Sequence, residues 1–145
     1  MTTATAETTS NRSDTAAEST GLRRLRLVLT TNAATSFGAG TIGLAAASWL
    51  SDELGFGHVA LTRGIGIALM LFAVDVAVLA RSGPDRVLRW APAVSMADFA
   101  WVAATIGVIG SGTLTSAGVV VAVAMGVGVL DFGLLQLWLR KRARG

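Results

Sequence analysis

The chain has 145 residues, 52% of them hydrophobic and only 14% charged, with a mean hydropathy of +0.62. Soluble domains carry roughly 25% charged residues, so an ordinary soluble fold is excluded and a single integral membrane domain is indicated. There is no cysteine, which removes disulfides, thiolate catalysis and sulfur-ligated zinc; the basic residues behind the net charge of +3 sit at the ends of apolar runs, which favours membrane orientation over nucleic-acid binding.

Residues 1–20 hold no large apolar side chain after Met1, and a segment that cannot bury apolar surface is expected to be a disordered cytoplasmic tail. It lacks the apolar core of a secretory signal. A first span is predicted over residues 25–50, behind Arg23, Arg24 and Arg26, with a first half made polar by Thr30, Thr31, Asn32, Thr35 and Ser36. Residues 51–58 read as a loop of acidic and turn residues that ends at His58. A second span covers 59–80, with Arg63 at its entrance and Asp75 near its exit.

Residues 81–86 read as a tight turn, since Gly83 and Pro84 punctuate the chain. The third span is predicted over 91–109, with Pro92 in its first turn and Asp98 two turns further in. Residues 110–113 make a short link, and the fourth span, 115–139, runs into a basic tail at 140–145. About twenty apolar residues suffice to cross a hydrocarbon core of about 30 Å. The expectation over 21–140 is therefore all-α, an up-down-up-down four-helix transmembrane bundle.

Orientation follows from the basic residues. Of the 12 Lys and Arg, Arg23, Arg24, Arg26, Arg81, Arg86, Arg89, Arg140, Lys141, Arg142 and Arg144 flank spans on one side, and Arg63 falls on the other. Lys and Arg in short loops stay inside, so both termini are expected in the cytoplasm, with the protein in a bacterial inner membrane. Trp49, Trp90 and Trp138 lie at span ends, where indoles favour headgroups, whereas Trp101 lies within a span.

Asn32, Asp75, Asp98 and Asp131 each fall roughly 9–14 Å from the inner edge at about 1.5 Å per residue. One polar group per span at a common level predicts a buried acidic layer. Helical spacing puts Asp131 on a face with Gly128, Ala124 and Ala117, Asp75 with Ala68 and Gly64, Asn32 with Ala39 and Gly43, and Asp98 with Trp101 and Thr105. Gly118, Ala122 and Gly126 form a further small-residue row. Since small residues mark helix interfaces, all four polar groups are expected to point inward. Intramembrane acids bind ions, protons or polar ligands, or else bond helices together. Asn32, Asp75, Asp98 and Asp131 are the ligand or ion-binding candidates, with Trp101, Thr105 and Arg63 secondary; Arg63 and His58 also suit an interface anchor.

Spans one and two match spans three and four in layout, with Asn32 answering Asp98 and Asp75 answering Asp131. This suggests a parallel repeat of helical hairpins about an axis along the membrane normal. No Walker, dinucleotide, zinc-protease or nucleophile-elbow motif is present, so a non-enzyme without cofactor or metal is expected. Residues 29–36, 63–66 through 71–73, and Asp98, Phe99, Ala100, Trp101, Val102 and Ala103 resemble a loose group of uncharacterised small four-span integral membrane proteins of high-GC bacteria. The resemblance covers about residues 22–140, implies the four-span topology and marks Asn32, Asp98 and Trp101 as pattern positions. It implies no reaction. The expected function is binding or passage of a proton, cation or small polar ligand, or a scaffolding role in which the acids bond helices. The expected partners are the lipid bilayer and a homo-oligomer or larger membrane complex, with no nucleic acid.

Overall fold

The computed structural model describes the backbone of residues 4–144 and the side chains of residues 20–144. These form five helices and no strand: α1 (Ala4–Ala45), α2 (Ala47–Leu54), α3 (Val59–Ala80), α4 (Pro84–Gly110) and α5 (Ser116–Arg142). The tail expected over 1–20 falls almost wholly on residues whose side chains lie outside the described set.

Three helices, α3, α4 and α5, are long and apolar enough to cross a membrane, with mean hydropathies of 2.0, 1.6 and 2.2. Only 28%, 17% and 17% of those stretches is buried, and Leu71, Ile106 and Val120 project outward. An apolar exterior of this extent suits lipid rather than water. The expected first span does not join them, because its threonines, Asn32 and Ser36 dilute the apolar part of α1. Much of that polarity is met locally: the hydroxyls of Thr30, Thr31 and Thr41 donate to the carbonyls of Arg26, Leu27 and Phe37, one turn earlier.

Element boundaries differ from expectation at three places. The first span is not one helix to residue 50, because Ala46 bends the chain (φ −111, ψ 24) and α2 takes up the first half of the expected loop. The turn after α3 is only residues 81–83, since Pro84 opens α4 where a missing N–H costs nothing. The basic tail is instead the last turn of α5, where Arg140, Lys141 and Arg142 suit the negative end of the helix dipole.

The early start of α4 puts Pro92 inside the helix rather than in its first turn. Proline has no N–H, so it leaves the carbonyl of Leu88 without its intrahelical donor. Arg140 of α5 supplies one, its Nε donating to the Leu88 oxygen at 2.7 Å, with an Arg144 nitrogen at 3.3 Å. Arg26 of α1 likewise donates to the Ser82 carbonyl at 2.6 Å, in the turn between α3 and α4. The basic rim thus also ties helix ends together.

Helix α1 lies along α3, α5 lies along α4, and α1 also meets α5, whereas α3 and α4 touch sparingly. The buried apolar core gathers at the basic end, from Leu25, Leu29 and Ala33 of α1, Val76 and Leu79 of α3, Val87, Ala91 and Val94 of α4, and Leu139 of α5. Midway along, α1 and α3 meet at Gly40 and Gly66. A Cβ on Gly40 would lie 2.7 Å from the Gly66 oxygen, and one on Gly66 would lie 2.9 Å from the Gly40 oxygen. At the far end Gly55 turns the chain out of α2 with φ 83, and the Thr115 hydroxyl donates to the Glu53 carbonyl at 2.6 Å. Gly118 packs directly on the Leu54 carbonyl.

Two predictions follow from these contacts. Arg140→Ala should lower stability by about 1–2 kcal/mol, the worth of a charged hydrogen bond that is partly exposed. The loss should shrink in a Pro92→Ala background, where Leu88 regains a backbone donor, and unfolding of the four variants measures the coupling. Gly40→Leu should cost about 1–3 kcal/mol through overpacking against α3, read as a lower thermal midpoint in detergent.

Candidate functional site

The site is built on one carboxylate. Asp98 of α4 is 3% exposed, and it lies on the face that also buries Ala91, Val94 and Ser95. Asn32 of α1, 1% exposed, donates its Nδ2 to Asp98 Oδ1 at 3.3 Å and to Oδ2 at 3.1 Å. Gln136 of α5 donates its Nε2 to Oδ2 at 3.1 Å. Two hydroxyls stand behind the amides: Ser36 donates to Asn32 Oδ1 at 3.3 Å, and the Ser95 hydroxyl lies 3.3 Å from both Gln136 Oε1 and the Ala91 carbonyl. Three helices therefore converge on Asp98. Both donors to it are neutral carboxamides.

Glycine sets the approach of α5. A Cβ on Gly133 would lie 2.7 Å from Cε1 of Phe99, the residue after Asp98, so only glycine lets that ring sit against the helix. Gln136, one turn on from Gly133, then falls within reach of Asp98.

The sequence candidates separate into two sets. Asn32 and Asp98 are brought together as expected, and Trp101 and Thr105 lie along the inner side of α4, half-buried. Asp75 and Asp131 do not join them: both are exposed on the outer surface. The inner face of α5 is the Gly118, Gly126, Gly133 and Gln136 row, and Asp131 lies about 140° around the helix from Gly126. The inner face of α3 carries Thr62, Gly66, Ala73 and Val76, while Gly64 and Ala68, expected beside Asp75, are exposed. Arg63 is exposed, away from the site. Gln136 and Ser95 escaped the sequence reading because the common level was drawn through one polar group per span, which Asp131 and Asp98 already filled, and Ser36 was noted there only for the polarity of the first span. The available signal was a polar residue inside an apolar run, in register with the Gly126 and Gly133 row.

A second feature occupies the half of the molecule away from the basic rim. A partly open cavity of about 400 Å³ is lined by apolar side chains from all five helices, including Leu54, Leu69, Trp101, Val108 and Val121. Thr62 also lines it, and the Thr62 hydroxyl has no hydrogen-bond partner. Fully enclosed and empty, a void of that volume would forfeit up to about 10 kcal/mol of packing, comparable with a domain's whole stability.

Substitutions should expose this division. Asp98→Leu strands two buried amide donors and should cost about 2–5 kcal/mol. Combining it with Asn32→Leu and Gln136→Leu should recover most of that loss, since a cluster removed whole leaves nothing unpaired. Asp75→Asn and Asp131→Asn should leave the unfolding midpoint nearly unchanged.

In comparison with known proteins, the chain matches no family model, no curated protein and no solved structure.

Proposed function

We propose that this is a non-enzymatic inner-membrane protein in which α1 makes a fourth crossing, both termini are cytoplasmic, and the Asp98 cluster binds or passes a proton, cation or small polar ligand. The fourth crossing is supported by the packing of α1 along α3 and α5, and by the hydroxyls of α1 that donate back to its own carbonyls. Orientation is supported by the ten basic residues gathered at one end. The observation that carries the site is a buried carboxylate held only by neutral amides, Asn32 and Gln136. Such a group keeps the capacity to take up a positive charge, which an Arg or Lys partner would already satisfy. The hairpin repeat fits the same picture, since Asn32 and Asp98, the positions it equates, bond to each other.

A second reading rests on Asp75 and Asp131. A carboxylate near mid-span costs about 2.5–3.5 kcal/mol on insertion scales, and these two face outward from apolar helices. That favours covering partners, in a homo-oligomer or as an accessory subunit of a larger complex, with the Asp98 cluster serving only to bond helices.

Flux of protons or monovalent cations into proteoliposomes separates the two. With wild type and Asp98→Asn at matched folded yield, flux should fall to that of empty vesicles in the variant, while Asp75→Asn and Asp131→Asn conduct. No flux in any variant, with Asp98→Asn merely less stable, sinks the transport reading and leaves the subunit one.

A further inference from the structure

We infer that the cavity away from the basic rim is a lipid-chain site, holding one hydrocarbon chain of a membrane phospholipid from the leaflet opposite that rim. Its lining is almost wholly aliphatic and aromatic, with Ile65 and Leu69 of α3 facing Trp101 and Val108 of α4 and Val121 and Met125 of α5. Water finds too few partners there, because the hydroxyl of Thr105 already donates to the Trp101 carbonyl at 2.9 Å, leaving only its acceptor capacity, and that of Thr62 is shielded inside the wall. The cavity is partly open, and it lies between the halves of α3 and α4 that lead away from their shared turn, two helices that touch sparingly. Its surroundings are helices whose outer faces are apolar, so the medium at its mouth is hydrocarbon.

Volume decides among occupants. A helix is about 10 Å across with a pitch of about 5.4 Å, so 400 Å³ would take up less than one turn of it, and a helix of a second copy does not fit. The volume lies within the roughly 300–1,000 Å³ of small-molecule pockets, and a flexible chain fills an irregular space without polar partners. The lining offers no cation for a phosphate, so recognition is of the chain and not the headgroup. The site is independent of Asp98 and of whether that cluster conducts.

Trp101 supplies the test, because it lines the cavity while Trp49, Trp90 and Trp138 lie on the outer surface. A chain with Trp49→Phe, Trp90→Phe and Trp138→Phe is placed in phosphatidylcholine vesicles brominated at mid-chain. Trp101 emission should be quenched, and Ala104→Phe or Ala122→Phe, which fill the cavity from its wall, should reduce that quenching at least twofold. Quenching that is absent, or equal in folded filled variants, overturns the proposal: the first outcome leaves the cavity closed or occupied by protein, the second leaves only contact with bulk lipid at the surface. If the filled variants do not fold, native mass spectrometry of the wild-type chain decides. One phospholipid retained through detergent exchange supports the site, and none retained overturns it.

Discussion

A carboxylate taken out of water needs donors, and in a bundle bathed in lipid it can find them only on neighbouring helices. Asp98 takes one amide from α1 and one from α5, so the polar cluster fixes the rotation of three helices at once. Apolar packing alone would do this poorly, because lipid tails compete equally well for Leu and Val faces. A misrotated α1 or α5 would strand a buried amide or the carboxylate itself, and that asymmetry makes the cluster a register mark as much as a site.

Such a mark works only if the backbones come close, and glycine provides the approach. Gly133 admits the ring of Phe99, and Gly40 and Gly66 let α1 and α3 touch carbonyl to Cα. Pro92 adds a complementary device. It opens the Leu88 carbonyl in the wall of α4, ten residues before Asp98, and Arg140 closes it from α5, so the same pair of helices is joined twice within three turns. The second joint uses a cation where the rim allows one, and the first uses neutral amides where depth does not.

How much of this was legible depended on which physical signal each residue carried. Length and hydropathy located α3, α4 and α5 because a long apolar run admits few other readings. The polar face of α1 and the burial of Asn32 and Asp98 followed from helical spacing. The rotation of α5 did not, because it carries two small-residue rows about equally suited to packing: Gly128, Ala124 and Ala117 beside Asp131, and Gly118, Ala122, Gly126 and Gly133 beside Gln136. Charge pointed to the first row, and the structure uses the second, since an amide can complete a carboxylate while another carboxylate repels it. The bend at Ala46 and the helix α2 were hidden by Ser51, Asp52 and Glu53, which read as loop residues but here lie inside α2.

The two ends of the molecule have opposite character. At the basic end Leu25, Leu29, Val76, Val87 and Leu139 close a dense core around the polar cluster, and arginines bind the helix ends to one another. At the far end the helices are held by the clasp of Thr115 on the α2 terminus, and the space between them stays open to the apolar exterior. Between the pinned end and the clasped one, α3 and α4 are the neighbours that touch least. The short turn at residues 81–83 holds their near ends together, and the cavity lies where the two helices lead away from it. On α4, Trp101 on the cavity wall stands less than one turn from Asp98, so the depth of Trp101 is where the apolar space and the polar cluster meet.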